Sequence, residues 1–284
     1  MNVSQLPAPQ LAAHKLGALH ILTDDALART AGVRVAFTGR AGGVSTGSYA
    51  GLDLATHVGD DPAAVAENRR LLMDALGAAG MPLVVPNQVH GSDLVTVSAA
   101  RDAADAAARA AAGADGIIVT CENVAALLCF ADCVPVIVVS PSGSFAVVHA
   151  GWRGVMASIV PKAVRALAAR ESEGPGALFG SAAEAAASYN VYLGPYIHAE
   201  CFETGADVRD RFLDKFGAAC IADDSHVDLG RALVEDLVGA GVEERRIADA
   251  GVCTVCHATE FFSYRASGGV CGRHGAVAFR KVEG

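Results

Sequence analysis

Two imidazoles and one thiol stand beside residues that force the backbone to turn. His90 precedes Gly91, Cys133 comes two before Pro135, and His149 comes two before Gly151. Each lies at the end of an apolar run, where a scaffold presents side chains to a cleft. Two His and one Cys suit zinc. Three protein ligands also leave the fourth tetrahedral position to a water, whose pKa then falls toward neutrality. The same three residues equally describe two satisfied histidines and a buried cysteine, because they form no local zinc signature. If Pro141–Ser144 is a hairpin turn, His149 pairs near position 136. Cys133 then lies about three residues further on, roughly 10 Å at ~3.3 Å per residue. A bend at Asp132–Pro135 must close that gap.

Three further clusters carry candidate chemistry. His149–Gly154 holds the only Trp of the chain, Trp152, beside Arg153. An indole wall and a guanidinium between glycines suit a ligand, and a core plug explains Trp152 as well. Gly39–Ser45, with Arg40 and Ser45, is a turn whose successive N–H groups and one arginine can cradle an anion. It matches neither the dinucleotide fingerprint nor the P-loop. Cys253-Thr-Val-Cys256-His257 matches both the c-type haem pattern and half of a zinc ribbon. With no second C-x-x-C and no export signal, a coincidental match or a buried, redox-sensitive pair is the plainer account. Phe261–Arg265 alternates aromatic and polar residues and reads as a strand, followed by Gly272-Arg273.

The elements that must position these groups are mostly strands. Val33–Phe37, Leu83–Val85, Leu94–Val97, Ile117–Thr120, Val124–Phe130, Pro135–Ser140, Phe145–Ala150, Tyr189–Leu193 and Val277–Phe279 are short runs rich in β-branched or aromatic residues. Asp60-Asp61-Pro62 opens a helix with an acidic cap and a proline in its first turn, closed by Gly77 and Gly80. Ala206–Phe216 and Leu229–Val238 also read as helical. The segment after Gly154 does too, with a kink or restart at Pro161. Residues 99–114 and 174–188 are Ala/Gly-rich and read as surface insertions with weak packing constraints, and residues 1–30 as a variable extension. No repeat or linker divides the chain, so a single α/β domain with mixed sheets flanked by helices is expected over 1–284.

The 284 residues are 52% hydrophobic and 19% charged, enough for a large core and against global disorder. A formal charge of −9 argues against a phosphate-backbone binder, whereas a few placed arginines can still hold a small anion. No nucleic-acid or membrane partner is expected. Met1–Ala18 lacks the basic and apolar regions of a signal peptide, and no apolar run approaches a membrane span. A cytoplasmic location follows, with the eight cysteines as thiols, ligands or catalytic groups rather than disulfides.

Taken in order, several motifs together resemble one family: Arg40-x-Gly-Gly-Val-Ser45, His57-Val-Gly-Asp-Asp-Pro62, Gln88-Val-His-Gly91, Ala114-Asp-Gly116, Ala131-Asp-Cys-Val-Pro135, His149–Gly154, Gly194-Pro-Tyr-Ile197, Cys253-Thr254 and Phe261–Arg265. It is the multicopper-polyphenol-oxidase-like (laccase-domain) family, also called YfiH or LACC-type purine nucleoside phosphorylase. The likeness runs from about residue 33 to 280 and implies one mixed α/β domain similar to deamidating-toxin catalytic domains. It further implies one zinc on His90, Cys133 and His149, and phosphorolysis of adenosine, inosine and methylthioadenosine with adenosine deamination besides. Catalytic roles fall on Cys133, Asp132 and Arg40. Substrate contacts fall on Arg40, Ser45, Gln88, Trp152, Arg153 and, with Ala266 breaking the usual arginine pair, Arg265. The implied partners are a purine nucleoside and phosphate, on a monomer or small homo-oligomer.

Three other functions compete. Cys133 as nucleophile with His149 as base would make an amidase-type hydrolase, such as one editing peptidoglycan precursors. Copper-dependent phenol oxidation is disfavoured, because none of the nine histidines forms a His-x-His pair. A non-catalytic partner-binding protein would show an exposed apolar patch.

Overall fold

Strands that are apolar at every position need a covering layer on both faces, and that requirement organises this chain. In the computed structural model, which describes residues 5–173 and 176–281, the chain opens with β1 (Ala12–Leu16), β2 (Leu19–Thr23), α1 (Asp25–Ala31) and β3 (Val33–Thr38). Helix α2 (Pro62–Ala75) follows, its Asp61 side chain accepting from the Ala63 amide and Pro62 in its first turn. The middle of the chain comprises β4 (Leu83–Val84), β5 (Leu94–Val97), α3 (Ala103–Ala111), β6 (Gly116–Val119), β7 (Ala125–Phe130), β8 (Val134–Val139) and β9 (Phe145–Ala150). The last part comprises α4 (Trp152–Met156), α5 (Ile159–Ser172), α6 (Ala182–Ala187), β10 (Asn190–Leu193), α7 (Ala206–Phe216), α8 (Leu229–Gly239), β11 (Ile247–Asp249) and β12 (His274–Arg280).

Two six-stranded sheets result, ordered β1-β2-β3-β12-β7-β4 and β11-β10-β8-β9-β6-β5. Both are mixed: β4/β7, β5/β6 and β10/β11 pair parallel and the remaining pairs antiparallel. The period-2 alternation assigns the faces. In β7, Ala126, Leu128 and Phe130 point into the core between the sheets, together with Ile137, Val139, Phe145 and Val147 of the second sheet. Ala125, Leu127 and Cys129 point outward against Leu72 and Met73 of α2. Val134, Val136, Val138, Ala146 and Val148 face the helical layer of α5 and α8. The expected single mixed α/β domain is what forms.

Several local expectations need correction. Phe261–Arg265 is a run of turns rather than a strand, since no strand pairs with it. The break near Pro161 falls earlier, at Ser158 (φ 51°), and Pro161 lies in the first turn of α5, where its missing N–H costs nothing. Residues 99–114 are not loosely packed: Ala103, Ala106 and Ala110 are buried in the inter-sheet core. In 174–188, Gly174 and Pro175 lie outside the described residues, but Ala185 and Ala186 of α6 pack into the helical layer. Residues 12–31 form β1, β2 and α1, so most of the expected N-terminal extension is built into the first sheet. Among the described residues, no helix is long and apolar enough to cross a membrane.

Candidate metal centre and its cavity

His149 follows Phe145 and Val147 on β9 and shares their direction, so its ring emerges at the open end of the inter-sheet core, 5.4 Å from the Phe130 ring. The hairpin register pairs it with Pro135, one residue nearer than position 136, and Cys133 lies just before β8. Asp132 takes a left-handed φ of 91°, which supplies the expected bend. His90 sits in the loop after β4 rather than at a strand end, with φ 58°. His90, Cys133 and His149 nevertheless converge, each offering a ligand atom within 4.8 Å of the other two. Gly151 leaves room for them: a Cβ would stand 3.1 Å from both the Cys133 sulfur and His90 Cδ2, and both side chains would have to give by a few tenths of an ångström.

The residue that organises this trio is Asp115, which spacing alone did not single out, although the Ala114-Asp-Gly116 motif contains it. One carboxylate oxygen accepts from the His90 amide at 2.9 Å and from His149 Nδ1 at 2.8 Å. The other accepts from the amides of Val89 at 3.2 Å and Gly91 at 2.7 Å. Burial opposes charge on Asp115, but the His149 hydrogen bond and these amides outweigh it and hold its carboxyl below the usual range. With Nδ1 held by Asp115, a cation would take the place of the proton on Nε2 of His149. Burial likewise disfavours charge on Cys133 and His149. Their mutual attraction prevails, pulling the thiol down and the imidazole up, as in a thiolate–imidazolium pair.

Two nitrogens and a soft sulfur, with His90 exposed and His149 buried, would suit a divalent metal ion, and the three residues line a cavity of about 430 Å³. Besides the trio, its walls include Gln88, Asp132 and Arg265, and also His57, Phe202, Tyr264 and Arg273. The Gln88 amide is anchored on the Cys129 backbone, donating at 2.8 Å and accepting at 2.8 Å, which leaves its second N–H toward the cavity it lines. Asp132 accepts from Thr254 Oγ1 and from the Arg265 amide, both at 2.7 Å, so it ties loops together rather than standing free for proton transfer. Arg265 spends its guanidinium on the carbonyls of Cys201 and Glu203.

Four expected contacts are not brought to this cavity. Arg40 donates to the carbonyls of Ala258 and Ala50 and stacks on Phe262 at 4.5 Å, so it straps two loops together. Ser45 donates to Asp60 and accepts from Asn68. Trp152 packs on the helical core, and the exposed Arg153 stacks on the Trp152 indole at 4.4 Å. In their place stand Arg273 and His57. Arg273 uses Nη1 for the Cys271 and Gly272 carbonyls, leaving Nε and Nη2 without a protein partner among the described residues. Burial, and next the charge of Arg273, lower the pKa of His57 and keep that imidazole neutral near pH 7.

A family model described as multi-copper polyphenol oxidoreductase laccase matches residues 34–281. Purine nucleoside phosphorylase YlmD of Geobacillus stearothermophilus is 33% identical over 267 residues, covering 89% of this chain and 92% of that protein. Adenosine deaminase RL5, from an unknown prokaryotic organism, is 31% identical over 244 residues, covering 82% and 88%. Among solved structures, YlmD from Geobacillus stearothermophilus superposes with a TM-score of 0.82 at 29% identity, covering 96% of this chain and 100% of that one. The hypothetical protein YfiH of Bacillus licheniformis gives 0.81 at 26% identity, covering 94% and 98%.

Proposed function

This chain belongs to the multi-copper polyphenol oxidoreductase laccase family, and from that membership we propose a zinc-dependent purine nucleoside phosphorylase. It acts on adenosine, inosine and methylthioadenosine, with adenosine deamination as a further activity. The observation that supports this most directly is the meeting, in one cavity, of the His90–Cys133–His149 trio, the unpaired edge of Arg273 and the aromatic walls of Phe202 and Tyr264. Relatives named purine nucleoside phosphorylase and adenosine deaminase agree with it. Eight free thiols suit a reducing cytoplasm.

A purine stacks against Phe202 or Tyr264 and leaves its ribose toward the arginines. Phosphate, bound by Arg273 Nε and Nη2, accepts or donates a hydrogen bond at the neutral His57 ring. Its oxygen forms the new bond to C1′ as the C1′–N9 bond breaks, and the guanidinium stabilises the charge on the nucleophile. The departing base carries the bonding electron pair and takes up a proton, which the attacking phosphate gives up directly or through solvent water. A zinc ion on the trio supplies Lewis acidity when bound. Incubation with inosine and phosphate should release hypoxanthine and ribose 1-phosphate, with loss on chelation and in Arg273→Ala. Base release that ignores phosphate, or survives both treatments unchanged, would reject the proposal.

One observation favours a second function. The Cys133–His149–Asp115 chain has the order of a nucleophile, base and orienting acid, which suits a thiol amidase without metal, such as one editing a peptidoglycan precursor. Alkylation of Cys133 that substrate blocks, in chelated and still active protein, would select it.

A further inference from the structure

Away from the cavity trio, a second set of soft donors converges. Cys201 lies in the segment before α7, and Cys253 and Cys256 lie in the turns after β11. Together with Glu200, each offers a ligand atom within 4.8 Å of the other three. The Cys201 and Cys256 sulfurs are 3.6 Å apart. A disulfide would need about 2.05 Å. Two thiolates sharing a tetrahedral zinc at ~2.3 Å stand roughly 3.8 Å apart. The sulfurs are therefore not bonded, and stand as two thiols in contact at a spacing that a shared tetrahedral zinc would need to change little.

The backbone holds them so. Tyr196 bridges to Cys253, its carbonyl accepting from the Thr254 amide at 2.9 Å, which fixes one loop against the other. The His198 amide donates to the Cys253 sulfur at 3.4 Å, the kind of outer contact that stabilises a ligating thiolate. Cys253 is buried, Cys201 half-buried, and Cys256 and Glu200 exposed, so an ion can enter from solvent. The C-x-x-C spacing is that of a zinc turn, and its partners come from some fifty residues upstream, where sequence spacing does not connect them.

We propose that Cys201, Cys253, Cys256 and Glu200 form a second, structural zinc site, separate from the cavity trio. Four protein ligands close the coordination sphere, so this ion clips loops rather than meets substrate. The loops it joins carry one wall of the cavity. Arg265 donates to the Cys201 and Glu203 carbonyls, Thr254 donates to Asp132, and Phe202 follows Cys201 directly.

The test is metal content of the whole protein, purified anaerobically with zinc and desalted. Wild type should carry about two ions per chain and His90→Ala about one. Cys256→Ser, at an exposed position that leaves the core intact, should also carry about one, and Glu200→Gln should bind the second ion more weakly. Cobalt-loaded His90→Ala should show intense thiolate-to-metal charge-transfer absorption, lost in His90→Ala/Cys256→Ser. Equal metal content in wild type and Cys256→Ser, or a Cys201–Cys256 disulfide in the anaerobic protein, would overturn the proposal. Neither result bears on whether the cavity trio works as proposed.

Discussion

Asp115 shows how much one carboxylate can do. It fixes the His149 tautomer and, through three backbone amides, shapes the loop that presents His90. Replacing it by Asn keeps the volume but points an amide hydrogen at groups that are themselves donors. Asp115→Asn should therefore lower metal affinity by about 10–100-fold, the usual cost of losing a partner behind a ligating histidine. Titration with a competing chelator measures this, and excess zinc should restore much of the lost activity. Gly151 acts by absence. In Gly151→Ala, the new methyl 3.1 Å from Cys133 Sγ and from His90 must push both ligands apart. Metal affinity should fall while thermal stability of the metal-free protein stays near wild type, a pair of readings that separates site damage from misfolding.

Among the elements, α3 is the clearest case of packing overruling composition. An Ala-rich segment looks unconstrained because alanine carries no pattern, yet Ala103, Ala106 and Ala110 recur at helical spacing and pack into the inter-sheet core. Ala106→Leu should destabilise by about 1–3 kcal/mol through overpacking, whereas Ala108→Leu on the exposed side should stay within ~0.5 kcal/mol. Equal effects in denaturant unfolding would reject the buried placement. The strands β3, β8 and β9 were legible because β-branched runs between turn residues have few alternatives, β7 because it is a short apolar run ending in an aromatic, and the helix start at Pro62 because cap and proline coincide. Phe261–Arg265 misled because its alternation serves no sheet: Phe261 and Phe262 are buried and Arg265 reaches the Cys201 loop. The convergence of His90, Cys133 and His149 was legible from residue type and from family likeness together. Arg273 and His57 were not, because what marks them is an unpaired guanidinium edge and a desolvated ring, both products of tertiary packing.

For the whole molecule, the acid limit of stability follows from a group outside the chemistry. His274 on β12 is fully buried between the rings of Phe130 and Phe261, at 6.4 and 5.6 Å. The carbonyls of Pro195 and Phe262 lie near it, but neither ring nitrogen makes a well-formed hydrogen bond among the described residues. Burial lowers its pKa from 6.5 to about 3. The unfolded chain therefore takes up a proton between those values while the folded chain does not, and stability falls as pH drops from 6.5 toward 3. Asp53 works the other way. Burial raises its carboxyl from 3.8 to about 6, so across that interval the folded state holds the extra proton and gains stability as pH falls. Both groups are fully buried and the histidine's interval is the wider, so its sign should prevail over the whole span from pH 6.5 to 3, by about 1–2 kcal/mol. Urea unfolding between pH 7 and 3 should show this net loss, and His274→Leu, which keeps an apolar fit without the titrating ring but leaves Asp53, should reverse it. An unchanged slope in that variant would move the acid sensitivity to other groups.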